Sequence, residues 1–126
     1  MKRYNKNLGD YGEDTAAEYF ESLGYIIRKR NYRCVFGEID LIAETDGILI
    51  FAEVKTRSNN FFGTPAAAVD QKKQTHLWRA AEAFLLDHPW EDEVRFDVVE
   101  IYAKLISTGS FQLEKIHHIK NIVLEV

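Results

Sequence analysis

The chain has 126 residues, of which 46% are hydrophobic and 29% charged. Those values suit one globular domain with one core, spanning residues 1–126, and exclude a disordered or fibrous chain. The longest unbroken apolar run, Ile48 to Ala52, is far too short to span a bilayer, and the net charge of −4 argues against a tight non-specific binder of nucleic acid.

The charge is unevenly placed. Residues 1–79 carry 12 Lys/Arg against 11 Asp/Glu, whereas residues 80–126 carry 4 against 9. Met1-Lys2-Arg3-Tyr4-Asn5 leads into no apolar segment, so no secretory signal is expected. The single cysteine, Cys34, has no partner for an internal disulfide and fits a reducing, cytoplasmic setting.

In chain order, the first element is a helix over about Leu8 to Leu23. Ala16, Ala17, Phe20 and Leu23 form its apolar stripe at helical spacing, and Gly24 stops it. A strand follows from Tyr25 to Cys34, with Arg28 and Arg30 along it. Residues 37–57 read as a hairpin, and 58–63 as a mobile loop. A second helix covers about Asp70 to His88, capped by Thr64 or Asp70. Leu77, Ala80, Ala81, Phe84 and Leu85 form its buried face, and Pro89 ends it. Val94 to Tyr102 is a further strand, and a last one is placed near Phe111 to Ile119. The order is α-β-β-β-α-β with that last strand added, an α/β fold with a mixed central sheet flanked by helices.

The hairpin carries the chemistry. Asp46-Gly47 between two alternating runs is a two-residue turn signal. That turn pairs Thr45 with Ile48, sets Asp40 opposite Glu53, and sets Glu38 opposite Lys55. All four share one face, with Ile39, Leu41, Ala52 and Val54 on the other. Opposed carboxylates would lie ~5 Å apart and repel by roughly 3 kcal/mol at an effective dielectric near 20. A divalent cation would offset that. Mg²⁺ or Mn²⁺ takes oxygen ligands and keeps several waters, so Asp40 and Glu53, joined by the Val54 carbonyl, would suffice. Lys55 would orient the attacking water or stabilise charge in the transition state. The plainer reading of Glu38, Asp40, Glu53 and Lys55 is a surface salt-bridge ladder. It accommodates Glu38 opposite Lys55 but not Asp40 opposite Glu53.

Around these acids the N-terminal half is basic, through Arg28, Lys29, Arg30, Arg33, Arg57, Lys72 and Lys73. Arg28, Arg30, Arg57 and Lys73 are the candidate nucleic-acid contacts. His117 and His118 are adjacent on a strand and point to opposite faces, so they do not chelate one metal together. His76 and His88 read as helix-surface residues, and Trp78 and Trp90 as core or rim packing.

Asp40 followed by Glu53-x-Lys55 resembles the PD-(D/E)xK nuclease superfamily. Gly12-Glu13, Asn31-Tyr32-Arg33, Gly37-Glu38-Ile39-Asp40-Leu41-Ile42, Phe51-Ala52-Glu53-Val54-Lys55-Thr56-Arg57, Phe62-Gly63, Lys73-Gln74 and Arg95-Phe96-Asp97-Val98-Val99 together resemble the bacterial YraN-like family. That family is similar to archaeal Holliday-junction resolvases. The resemblance covers about residues 8–102. It departs at position 52, Ala where Val is usual, and in the tail from Lys120 to Val126. It implies a restriction-endonuclease-like core and magnesium-dependent cleavage of branched DNA. It also implies a further acid, Glu13, in the metal site, an approach of Lys73 and Gln74 to that site or to the DNA phosphates, and a homodimer that cuts two strands. The competing reading is a non-catalytic nucleic-acid-binding or adaptor module that keeps the fold. A paired-carboxylate glycosidase is the weakest reading, because it leaves Lys55 without a role.

Overall fold

The computed structural model describes residues 4–58 and 71–125. Helix α1 (Tyr4–Ser22) is followed by three antiparallel strands, β1 (Ile26–Cys34), β2 (Gly37–Thr45) and β3 (Ile48–Ser58). Helix α2 (Gln71–Asp87) then leads to β4 (Val94–Leu105), which runs parallel to β3, and β5 (Phe111–Ile119) turns back antiparallel to β4. The five strands lie in sequence order in one mixed sheet. The α/β architecture and the element order match the sequence reading. No described helix is long and apolar enough to cross a membrane.

Each face of the sheet packs against one helix. Ala16, Ala17 and Phe20 of α1 bury against Leu41, Ala43, Ile50, Ala52, Val54, Val99 and Ile101. Leu77, Ala80, Ala81 and Phe84 of α2 bury against Ile42, Leu49, Phe51 and Phe96, with Leu85 partly buried beside them. Leu23 departs from its expected place in the α1 stripe and is 44% exposed. The helix ends one residue earlier, and Gly24 turns the chain at φ 87°. Tyr25 then fills the position instead, donating its N–H to the Phe20 carbonyl at 3.0 Å and packing on the Phe20 ring.

Gly12 allows α1 to approach β3 closely. A Cβ at residue 12 would fall 1.8 Å from Thr56 Oγ1. The tail after β5 folds back over the α2 face. Ile122 donates its N–H to the Phe96 carbonyl at 2.7 Å, and Ile122 and Leu124 join the apolar cluster there. Glu125 bridges to α2, receiving from Gln71 Nε2 through its carbonyl and donating its N–H to Gln74 Oε1. The expected loop at 58–63 and the caps Thr64 and Asp70 fall outside the described residues beyond Ser58.

Candidate metal and nucleic-acid site

The β2–β3 turn forms as its residues dictate. Asp46 and Gly47 both take left-handed backbone, at φ 49° and 81°, and Thr45 pairs with Ile48. The predicted register holds as far as Leu41 opposite Ala52. There the ladder stops. Asp40 and Glu53 do not form the next pair; Oδ2 of Asp40 accepts the Val54 N–H at 2.8 Å. The side chain takes a backbone donor that a strand carbonyl would otherwise take.

The same place breaks the alternation of β2. Ile39 packs with Ile42 on the α2 side, although the sequence reading set it on the face of Leu41. On β1, the residue that the register would oppose to Asp40 is Asn31, which sits in left-handed backbone at φ 54°. Regular alternation needs an unbroken pleat, and the irregularity at Asn31 and Asp40 interrupts it.

Asp40 and Glu53 nevertheless line one cleft, with Gly37, Glu38, Lys72, Lys73, His76 and Leu77 around them. Its volume is about 380 Å³. Glu53 is buried, and its Oε2 receives Lys73 Nζ at 2.7 Å and Lys55 Nζ at 3.4 Å. Burial and the neighbouring Glu53 push the Asp40 carboxyl from 3.8 up to about 7; Glu13 and Glu38 add to the effect and the Val54 N–H opposes it. Glu13, on α1, adds to that rise but is not among the residues that line the cleft. Burial and the adjacent Lys73 lower Lys55, and Glu53 only partly opposes them. Lys73 goes the other way. Burial works against its charge, but Glu53, Lys55 and Asp40 together outweigh burial and raise it.

The four candidate nucleic-acid residues separate into two pairs. Lys73 stands in the cleft, and Arg57 lies within 3.5 Å of Glu100 on the neighbouring strand β4. Arg28 and Arg30 lie on the edge strand β1, where Arg28 pairs with Glu44 and Arg30 with Asp14 at 2.6 Å. Glu38 pairs with Arg33 at 3.1 Å across β1 and β2, so the expected ladder partner Lys55 turns to Glu53 instead. Among the described residues, no group of three or more His, Cys, Asp or Glu side chains is gathered as a metal-binding set.

Lys72 and His76 reach the cleft without having been singled out for it. Both belong to the α2 turn that carries Lys73 and Leu77, and the i, i+3 and i+4 spacing from Lys73 to His76 and Leu77 was the available signal. Gly37 sits against that turn at φ 149°, a backbone conformation that favours glycine, and a Cβ there would meet the His76 Cβ at 3.4 Å. His117 and His118 do diverge: His117 meets Glu100, and His118 meets Asp97 and Tyr19. Trp90 donates to the Gly47 carbonyl and Trp78 packs near Phe96, in keeping with structural roles.

The profile of an uncharacterised protein family, UPF0102, matches residues 12–101. A UPF0102 protein of Caldanaerobacter subterraneus subsp. tengcongensis is 39% identical over 123 residues, covering 96% of this chain and 98% of that protein. A UPF0102 protein of Clostridium perfringens is 44% identical over 102 residues, covering 80% and 84%. One from Clostridium botulinum strain 657 is 37% identical over 111 residues, covering 86% and 90%.

Proposed function

We propose that this chain, which belongs to the uncharacterised protein family UPF0102, is a divalent-metal-dependent endonuclease acting on branched or otherwise structured DNA. One observation carries the reading. Two carboxylates line one cleft beside a half-buried lysine, and burial together with the neighbouring acid pushes one of them up to about 7. A fold gains nothing from confining Asp40 near Glu53, Glu13 and Glu38 unless a cation completes the site.

The donor set fits a hard cation. Asp40 and Glu53 offer carboxylate oxygens, the Val54 carbonyl a third, and Glu13 lies close enough to act on Asp40. Both ammonium contacts to Glu53 fall on Oε2. When bound, Mg²⁺ or Mn²⁺ would supply Lewis-acid charge at the phosphodiester. The protein's own residues do the rest. The Val54 N–H holds Oδ2 of Asp40 and so restricts the orientation of its carboxylate. Lys55 has no lone pair while protonated and is not a ligand; its ammonium would orient the attacking water and stabilise the charge that builds on phosphorus-bound oxygen. Lys73 and Lys72 at the cleft rim would receive the flanking phosphates.

A second reading, a nucleic-acid-binding or adaptor module without turnover, has one observation in its favour: Lys73 already neutralises Glu53 at 2.7 Å. Calorimetric titration with Mg²⁺ or Mn²⁺, on wild type and Asp40→Ala, separates the two. The nuclease reading expects metal binding that Asp40→Ala abolishes, and metal-dependent nicking of a four-way junction. A wild type that binds the junction, takes up no metal and cuts nothing leaves the binding module standing.

A further inference from the structure

The ladder continues the candidate site across two more strands. Lys55 on β3 is the register partner of Glu100 on β4, which is the partner of His117 on β5. One row further on, Arg57 pairs with Tyr102, and Tyr102 with Lys115. Strand pairing puts these six side chains on the face that carries Glu53. The row therefore runs outward from the cleft over ~10 Å, two interstrand spacings.

Glu100 is the unusual member. It is fully buried, yet it is a carboxylate in the middle of a sheet. Tyr102 Oη donates to its Oε1 at 3.1 Å, Arg57 Nη2 approaches Oε2 at 3.5 Å, and His117 Nδ1 lies 3.2 Å from Oε1. The His117 side chain, by contrast, is 46% exposed. A carboxylate engaging Nδ1 fixes the ring and turns Nε2 away from the protein. Lys115 Nζ is held 4.7 Å from the centre of the Tyr102 ring, next to the same row. One buried acid thus orients an imidazole, and its tyrosine partner steadies an ammonium, on the sheet face that also carries Glu53 and Lys55.

We propose that His117 and Lys115 form a second phosphodiester-contacting subsite on β5, oriented by Glu100 and Tyr102, which seats the nucleic-acid strand as it leaves the cleft. The proposal rests on the nuclease reading for the identity of the strand. Charge complementarity selects the occupant. Arg57 and Lys115 outweigh Glu100 on a chain whose net charge is −4, so the local excess is positive where the whole is negative. A polyanion emerging past Lys55 meets this row next. Glu100 is a positioning residue here, and His117 and Lys115 are the contacts.

The test is fluorescence anisotropy of a labelled four-way junction and of a single-stranded oligonucleotide, in EDTA, over a salt series. The proteins are wild type, the double variant His117→Ala/Lys115→Ala, and a control, Lys29→Ala/Arg33→Ala, at the opposite edge of the sheet. The double variant should bind more weakly, and its salt slope should fall by between about one and two. The control should change neither quantity to that extent. Glu100→Gln should weaken binding in the same direction, and thermal melts verify that each variant folds. Nicking assays with Mg²⁺ run in parallel. A wild type that binds and never cuts, with the double variant binding weakly, sinks the nuclease reading and upholds the subsite. A wild type that cuts, with the double variant matching it in affinity and salt slope, overturns the subsite and leaves the nuclease standing. A wild type that binds neither DNA overturns the subsite.

Discussion

Two aspartates in this sheet have opposite surroundings. Asp97 on β4 is completely buried and fully partnered: Arg95 grips it through two nitrogens at 2.9 Å, His118 Nε2 lies at 2.7 Å, and the Asn121 N–H donates at 2.9 Å. Burial alone would raise its carboxyl, but these donors outweigh burial and hold it below the usual range. Asp40 on β2 is less buried, receives one backbone N–H and faces three acids, and its carboxyl rises to about 7. Burial does not decide which acid is structural. The number of donors does, and the acid short of donors is the one placed at a cleft.

The sharpest way to break this contrast is to remove the satisfied acid. Asp97→Ala leaves Arg95 and His118 without their shared partner and should cost about 3–5 kcal/mol in urea denaturation. A loss below ~1 kcal/mol would mean the network does not hold β4, β5 and α1 together. Next comes Lys55→Ala. It should leave junction binding nearly intact while slowing metal-dependent nicking by roughly 10²–10³, the effect of one lost transition-state donor. Equal rates for variant and wild type would remove Lys55 from the chemistry.

Asp40→Asn keeps an oxygen for the Val54 N–H and removes the charge. In EDTA at pH 8 it should stabilise the fold by about 2 kcal/mol. The sign follows from the raised carboxyl. Below the ordinary 3.8 the folded and unfolded chains both hold the proton, and no charge is penalised. As pH rises from there to about 7 the unfolded chain ionises first, so wild-type stability falls across that window and the advantage of the variant grows. Asp97 behaves in the opposite sense: its contribution is present above the ordinary carboxylate range and is lost as pH falls through its depressed value. A wild type whose metal-free stability rises between pH 4 and 7 without a matching gain in Asp40→Asn would contradict the assignment. The smallest effect belongs to β1. Arg28→Ala and Arg30→Ala should each change stability by less than ~1 kcal/mol, since their ion pairs are exposed, and should weaken DNA binding less than Lys73→Ala does.

The sequence made the hairpin legible because its signals are local. Asp46-Gly47 fixes the turn, the turn fixes the register, and the register brings Asp40 and Glu53 to one cleft. The α2 stripe and the bounds of β5 are legible for the same reason, through short-range periodicity. The break at Asp40 is not, because it depends on Asn31 taking left-handed backbone on a strand read as regular. Nor is Lys73 on Glu53, a contact between residues twenty apart that exists only after α2 docks. Glu100 and His117 were invisible as a pair, since strand β5 must return beside β4 before either has a partner.

The folded-back tail has a consequence for the order of synthesis. Glu125 grips Gln71 and Gln74 on either side of Lys72 and Lys73, while Ile122 and Leu124 close the apolar layer beneath. Every residue of the acid cleft is therefore translated before the residues that fasten its α2 wall. A nascent chain still lacking residue 125 outside the ribosome carries both carboxylates and the apolar face of α2, but not the tail's hydrogen bonds to Gln71 and Gln74. The two hydrogen bonds that tie the tail to α2 form only once every residue of the cleft has been made.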